Sequence, residues 1–297
     1  LTTIHVIHDN DYENWVFDPN HPTQGRRFTN GLGAIHHTAT SHNVVQHATR
    51  EATRHELSLV HADGYIDAVL DGYSNEWHGK RLDLGNLASK FAGGTLEALS
   101  LLIQGERLAV HLPGAKHHAM REHSSGFCVF GDFAIAADIA NAAGLRVAIL
   151  DTDAHHGDGT EELTLDFTNT MTFSIHQDGI FPYSGVSDYP MLGIYNSPLP
   201  ALANDRRLQG AVNEFIDVAR DFHPDLVFIA AGADGHKADP LSGLHYTEQG
   251  YRKVMHTVGK AFPKARFLIG GAGGYCPDDA TPAMWANAVT GVADSLS

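Results

Sequence analysis

Five ionisable side chains fall within eight residues of this sequence: Asp151, Asp153, His155, His156 and Asp158, with Gly157 and Gly159 interleaved. The run before them, Leu145 to Leu150, is mostly apolar, follows Gly144 and reads as a short buried strand. Side chains alternate along an extended segment, so Asp151, Asp153 and His155 leave the end of that strand on one side. In open parallel sheets, ligands bind at this carboxyl end. Two carboxylates and an imidazole gathered there suit a metal or acid–base cluster. An acidic loop that merely caps a strand would not need so many titratable groups beside two glycines.

Three more polar clusters follow predicted strands. Leu108 to Leu112 runs into the Pro113-Gly114 turn and then His117-His118. Adjacent histidines on a regular strand would face opposite ways, so a loop must carry both if they serve one site. Leu226 to Ala231 is an uninterrupted apolar strand that delivers Asp234, Gly235 and His236, then Asp239-Pro240-Leu241. Phe267 to Ile269 ends in Gly270-Gly271-Ala272-Gly273-Gly274, where the backbone can approach a site closely and place Tyr275 at its rim. Neither a GxxxxGK[ST] phosphate loop nor a GxGxxG dinucleotide turn is present.

Asp153, His155 and Asp234 together offer two oxygens and one nitrogen, leaving coordination open for water and substrate. Zn²⁺ suits that set, and Fe²⁺ or Co²⁺ would also be accepted. Such a metal polarises a carbonyl and acidifies water. One of the tandem histidines then takes a proton, and the other stabilises charge or protonates the leaving group. Asp151 and Asp158 orient the imidazoles, and Tyr275 donates a hydrogen bond to the developing oxyanion. A nucleophilic-serine motif is absent, and Cys128 follows bulky Phe127 with no base of its own.

The elements that must position these groups are legible as alternating strands and helices without repeats or a linker. A strand is predicted over Thr2–His8, loops over Asp9–Thr40, and a helix from Ser41-His42-Asn43 to Ala62, closed by Asp63-Gly64. Loops over Asp71–Leu87 precede a helix over Thr95–Ile103. Further helices are predicted over Phe133–Ala143, Glu161–Phe167, Asp205–Asp221, Thr247–Phe262 and Pro282–Leu296, with a strand at Met171–His176. The pattern is one α/β domain spanning residues 1–297, with a mostly parallel central sheet flanked by helices. Its four polar clusters would meet at one end of that sheet.

Composition sets the outer bounds. Apolar residues make up 43% and charged residues 19%, an ordinary globular balance. The net charge of -15 argues against nucleic acid and anionic membrane as partners and favours cationic substrates. Two isolated cysteines, Cys128 and Cys276, form neither a metal-type pair nor a disulfide framework, which fits a reducing cytoplasm. No apolar run approaches the ~18 residues of a membrane span, and the first residues lack a signal-peptide pattern.

Taken in order, the motifs resemble the zinc-dependent histone deacetylase family, which includes acetylpolyamine amidohydrolases and acetoin-utilisation proteins. They are Pro113-Gly114 through His117-His118 to Gly126-Phe127-Cys128, the Asp151–Gly159 run, Gly232-Ala233-Asp234 with Asp239-Pro240-Leu241, and Gly273-Gly274-Tyr275. The resemblance covers about His36 to Trp285. It implies the arginase/deacetylase fold and hydrolysis of an acetyl or other acyl group from an amine such as acetyllysine or an acetylpolyamine. By motif, Asp153, His155 and Asp234 match the zinc ligands and Tyr275 the transition-state tyrosine. His118 matches the general base, paired with Asp158, while His117 pairs with Asp151. Gly126, Phe127, Phe181 and Leu241 match the substrate tunnel. A structural K⁺ or Na⁺ is implied at Asp151, Asp153, His155, Ser174 and Ile175.

Two departures stand out. The loop Tyr73–His78 does not clearly reproduce the acidic rim residue of the eukaryotic enzymes, and the loop from His176 to Pro182 is shorter than in several of them. A ureohydrolase with two manganese ions is the nearest enzymatic rival, but Asp234-Gly235-His236 stands where that chemistry expects a second aspartate. A non-catalytic binder of acyl-lysine or polyamine would have lost the tyrosine or a histidine, and both are present.

Overall fold

Eight short runs of the chain pair side by side into one sheet in a computed structural model that describes residues 1–297. They are β1 (Thr3–Ile7), β2 (Asn43–His47), β3 (Leu108–His111), β4 (Val147–Asp151), β5 (Thr170–Gln177), β6 (Ile194–Leu199), β7 (Leu226–Ala230) and β8 (Arg266–Gly270). Their order is β2-β1-β3-β8-β7-β4-β5-β6, and every adjacent pair is parallel. The sheet is therefore wholly parallel where a mostly parallel one was expected. Strands β3, β4 and β7 are buried along their whole length, which is why they read as apolar runs without alternation.

Helices cover the sheet: α1 (Arg26–Thr38), α2 (Arg54–Leu57), α3 (Asp63–Leu70), α4 (Leu82–Ile103), α5 (Asp132–Ala142), α6 (Asp158–Leu163), α7 (Asp205–Phe222), α8 (Glu248–Ala261) and α9 (Ala280–Ser295). Helices α1, α9, α8 and α7 pack in a row, and α4 packs on α5. Four strands in the middle, β3, β8, β7 and β4, end level with one another. His111 registers with Gly270, Gly270 with Ala230, and Ala230 with Asp151. That row is the platform from which all four polar clusters leave.

The N-terminal third differs from the sequence reading. Residues 43–47 form β2, paired residue for residue with β1, where a helix was expected. Val44 and Val45 suit a strand once a partner is available, and pairing outweighs a weak helical spacing. The helix α1 lies in a stretch expected to be loop; its buried Phe28, Gly31 and Ile35 mark one face. Asp63 opens α3, where it was expected to close a helix. Helix α4 begins at Leu82 and passes straight through Gly93 and Gly94. Those glycines let it pack closely, since a Cβ on Gly93 would strike Arg50 O and one on Gly94 the His111 ring. The edge strand β6, which holds Pro198, was not anticipated; a proline is tolerated there because an edge strand has a free side.

One buried carboxylate holds the turn before the tandem histidines. Asp132, in the first turn of α5 and excluded from water, accepts the backbone N–H of Ala115 at 2.9 Å and of Lys116 at 2.7 Å. It also accepts the hydroxyl of Thr95 from α4. That hydroxyl has a single hydrogen, so it accepts in turn from His111 Nδ1, which leaves His111 Nε2 to accept from Tyr12. Burial, which holds the His111 imidazole down at about 3, keeps it neutral in this chain.

The Lys116 side chain is a different matter. Its ammonium lies over the rings of Phe91, Phe28 and Trp15 at 5.1, 5.8 and 5.9 Å and makes no hydrogen bond to the protein. Burial, with the nearby Arg27 charge, lowers it to about 8. An unfolded lysine keeps its proton up to 10.5, so between about 8 and 10.5 the unfolded chain binds more protons than the folded one. Stability from this residue should therefore rise with pH across that window. Lys116→Met should be at least as stable as the parent at about pH 7, and should lose that share of the pH dependence. Denaturant unfolding of both proteins at about pH 7 and about pH 10 measures it; a constant stability difference between them would contradict the assignment.

Candidate metal and catalytic site

Beyond β4 the chain folds its polar groups inward by bonding them to their own backbone. Asp151 Oδ1 accepts the N–H of Asp153 at 3.0 Å, and Asp153 Oδ1 accepts that of His155 at 2.9 Å. From the end of β7, Asp234 Oδ1 accepts the N–H of Ala154 at 2.9 Å. These turns bring one ligand atom each from Asp153, His155 and Asp234 to within 4.8 Å of one another. His155 Nδ1 lies 2.8 Å from Asp234 and 3.1 Å from Asp153.

Both carboxylates are fully excluded from water. Burial and the charge of Asp153 push Asp234 up to about 8. Against burial, the charge of His117 and the His155 contact hold Asp153 well below the usual carboxylate range. Burial would lower His155, but its contacts with Asp153 and Asp234 raise it to about 11. Two buried carboxylates and an imidazole aim their donor atoms at one point, so the set fits a divalent metal with open positions, whose binding would displace the protons on His155 and Asp234. The glycines serve the same end: a Cβ on Gly273 would crowd both carboxylates, and the bare Gly273 N–H instead donates to Asp153 at 2.6 Å.

The tandem histidines stand beside this set with their rings 4.0 Å apart. His117 Nδ1 donates to Asp151 and His118 Nδ1 to Asp158, each at 2.7 Å. Their environments push them in opposite directions. Burial opposes the charged form of His117, but Asp151 and Asp153 win and raise it to about 9. Burial and the neighbouring His117 lower His118 to about 4. The two rings are thus biased in opposite directions, the kind of separation that acid–base chemistry uses.

A cavity of about 460 Å³ opens onto them. Its walls include Gly126, Phe127, Phe181 and Leu241, with His118, His155 and Tyr275 at the functional end. Gly126, with positive φ, lies flat against the His118 ring, where a Cβ would clash. The loop carrying Phe181 is pinned by His156, bonded to Ser184, and by His176 Nε2, which donates to Gly185 O. Three larger surface hollows, two of about 730 Å³ and one of about 620 Å³, contain none of the site residues. Ser174 is the register partner of Asp151 and shares a hydrogen bond with His176 Nδ1; Ile175 is buried beside it in β5.

Two lining residues carried no role in the sequence reading, Ile180 and Glu76. The loop Tyr73–His78 does place a carboxylate at the cavity. Glu76 accepts the Phe127 N–H at 3.1 Å, while Asn75 bonds both backbone groups of Ser124 and so fixes the loop. Burial raises Glu76 above the usual carboxylate range. The signal was a single acid in a loop with no regular period, and only the fold brings it to the cavity. His236 goes elsewhere, its Nε2 3.4 Å from Glu248.

Known proteins resemble this chain in sequence and in fold. The histone deacetylase domain profile matches residues 21–292. The acetoin utilization protein AcuC of Bacillus subtilis is 31% identical over 309 residues, covering 94% of this chain and 79% of that protein. Among solved structures, the HDA15 HD domain superposes with a TM-score of 0.87 at 24% identity, covering 99% of this chain and 90% of that one. The acetylpolyamine aminohydrolase from Burkholderia pseudomallei superposes with a TM-score of 0.83 at 21% identity, covering 98% and 99%.

If Asp153, His155 and Asp234 form one ligand set, Asp234→Ala removes one of three protein ligands, the minimum for a stable catalytic site. The purified variant should lose stoichiometric zinc by elemental analysis while the parent retains it. Retention of one zinc per chain would rule out the ligand set.

Proposed function

This chain belongs to the histone deacetylase domain family, and on that premise we propose that it is a zinc-dependent deacetylase, formed as one catalytic domain over residues 1–297, that hydrolyses an N-acyl amide. The observation that carries the reading is the oppositely biased pair His117/His118, each bonded to its own aspartate, beside the Asp153/His155/Asp234 set at the functional end of one cavity. Zn²⁺, or Fe²⁺ or Co²⁺ in its place, would be held by those three residues and would supply Lewis-acid polarisation of the amide carbonyl and acidification of water.

The protein's own groups do the rest. His118 is neutral with Nδ1 committed to Asp158, so Nε2 is the free nitrogen that accepts the proton of the attacking water. The same nitrogen returns it to the departing amine. His117, held cationic by Asp151, offsets negative charge as it develops. Tyr275, whose hydroxyl is kept protonated by burial, donates to the oxyanion. A structural K⁺ or Na⁺ would be held at Asp151, Asp153, His155, Ser174 and Ile175.

The substrate we favour is an acetylated cationic amine, acetyllysine among basic residues or an acetylpolyamine. Apolar walls at Phe127, Phe181 and Leu241 suit a methylene chain, and Glu76 sets an acid beside them. The net charge of -15 would draw cations in. One solved neighbour is an acetylpolyamine aminohydrolase by name, which supports the second option. A two-metal ureohydrolase is disfavoured, because Asp153, His155 and Asp234 are the one group of potential ligands that converges. The two free thiols, Cys128 and Cys276, suit a reducing compartment such as the cytoplasm.

Acetate released from a panel of acetylated peptides and polyamines tests the reading. A basic acetyllysine peptide should have a higher kcat/KM than an acidic one, with the difference shrinking as salt screens exposed charge. Equal rates at low salt would remove the cationic preference. Tyr275→Phe should keep metal and fold but lose roughly 10²–10³ in turnover, the scale of one oxyanion donor. His118→Ala should lose on the order of 10²–10⁴. Parent-like turnover in either variant refutes its role.

A further inference from the structure

Tyr275 sits in a stretch, residues 271–276, that is neither helix nor strand, so no ladder holds its backbone. Gly274 before it has φ 140°, a backbone conformation that residues with a side chain rarely adopt. The preceding residues are tied down: Gly273 N–H donates to Asp153, and Arg27 Nη1 donates to Gly274 O at 2.7 Å. The backbone N–H of Tyr275 has a single partner, Asp239 Oδ2, at 2.7 Å. The other oxygen, Oδ1, accepts the N–H of Leu241 at 3.0 Å. Asp239 is buried and has no ion-pair partner, so these two N–H groups are the hydrogen bonds its carboxylate accepts. One bond is a local turn within the Asp239-Pro240-Leu241 segment. The other reaches across 36 residues to the tyrosine.

We propose that Asp239 is a positioning residue that sets the reactive hydroxyl of Tyr275 by gripping its backbone, and with its second oxygen sets the cavity wall at Leu241. This rests on the deacetylase reading for its kinetic consequence but not for its geometry. A misplacement of about 1 Å in a reacting group can cost on the order of 10²-fold in rate. One carboxylate therefore ties the acyl-chain wall to the oxyanion donor. The Cys276 thiol, donating to Ala238 O at 3.3 Å, joins the same two segments and does not reach Tyr275 itself.

The test is a double-mutant cycle between Asp239 and Tyr275, read two ways on zinc-loaded protein. Asp239→Asn keeps the size but turns a carboxamide NH2, a donor, towards one of the two N–H groups. Asp239→Ser retains a short acceptor for the local Leu241 turn and gives up Tyr275, and it serves if the first variant does not fold. Each should lower kcat for acetate release by about 10- to 100-fold with KM within about threefold and zinc content unchanged. In a Tyr275→Phe background the same substitutions should cost less than about threefold, because the group they position is gone. The second readout is the affinity of an alkyl hydroxamic acid, which needs no turnover. It should weaken in the single variants and change little when Tyr275 is already Phe. Full additivity in both cycles would overturn the proposal, since a residue that merely stabilises the fold acts whether or not the hydroxyl is present. If the parent releases no acetate but the hydroxamate cycle is coupled, the positioning role stands and the deacetylase reading falls.

Discussion

Two carboxylates, Asp153 and Asp234, are shut away from water on either side of one imidazole, with no lysine or arginine paired to them. Burying such charges is costly unless a cation and hydrogen bonds compensate them. The hydrogen bonds are already in place: backbone N–H groups of Ala154, His155 and Gly273 all point at these oxygens. Protons on His155 and Asp234 balance the charge, and a divalent ion would take their place. The density of glycine after β8 follows from the same requirement, because only a bare backbone can bring an N–H that close to two buried carboxylates.

Strand register extends this constraint to the whole sheet. His111, Gly270, Ala230 and Asp151 lie in one row, so each loop that follows starts at the same height and the loops meet above the middle of the sheet. Because those loops lack ladders of their own, buried side chains hold them. Asp132 grips the turn before the histidines, and Asp234 grips the backbone after Asp153. The histidines then acquire different characters from position alone. His117 faces two carboxylates, whereas His118 is buried against a neighbouring positive ring.

Chemistry and substrate choice occupy separate parts of the molecule. The reacting groups hang from strand ends in the buried centre. The cavity walls come from loops that are remote in sequence: Glu76 before α4, Phe127 before α5, Phe181 after β5 and Leu241 after β7. Such loops can vary in length and charge without disturbing the sheet, so related chains can share the reaction while differing in what they admit.

Much of this was legible in the residues themselves. Buried parallel strands must be apolar on both faces, so Leu226–Ala231 could be recognised without a partner, and the helices α5, α7, α8 and α9 were placed within a residue or two. The clusters at Asp151–Asp158, His117-His118, Asp234 and Tyr275 were also visible, because crowding of ionisable groups and glycine is a local property. Tertiary structure alone decided the rest. Residues 43–47 have a weak helical spacing, and pairing with β1 made them a strand. Glu76 reached the cavity, and Asp132 and Asp239 took hold of loops they do not adjoin, through partners far along the chain. Sequence pattern reports forces between near neighbours; strand pairing and the compensation of a buried charge depend on which distant segment the fold brings alongside.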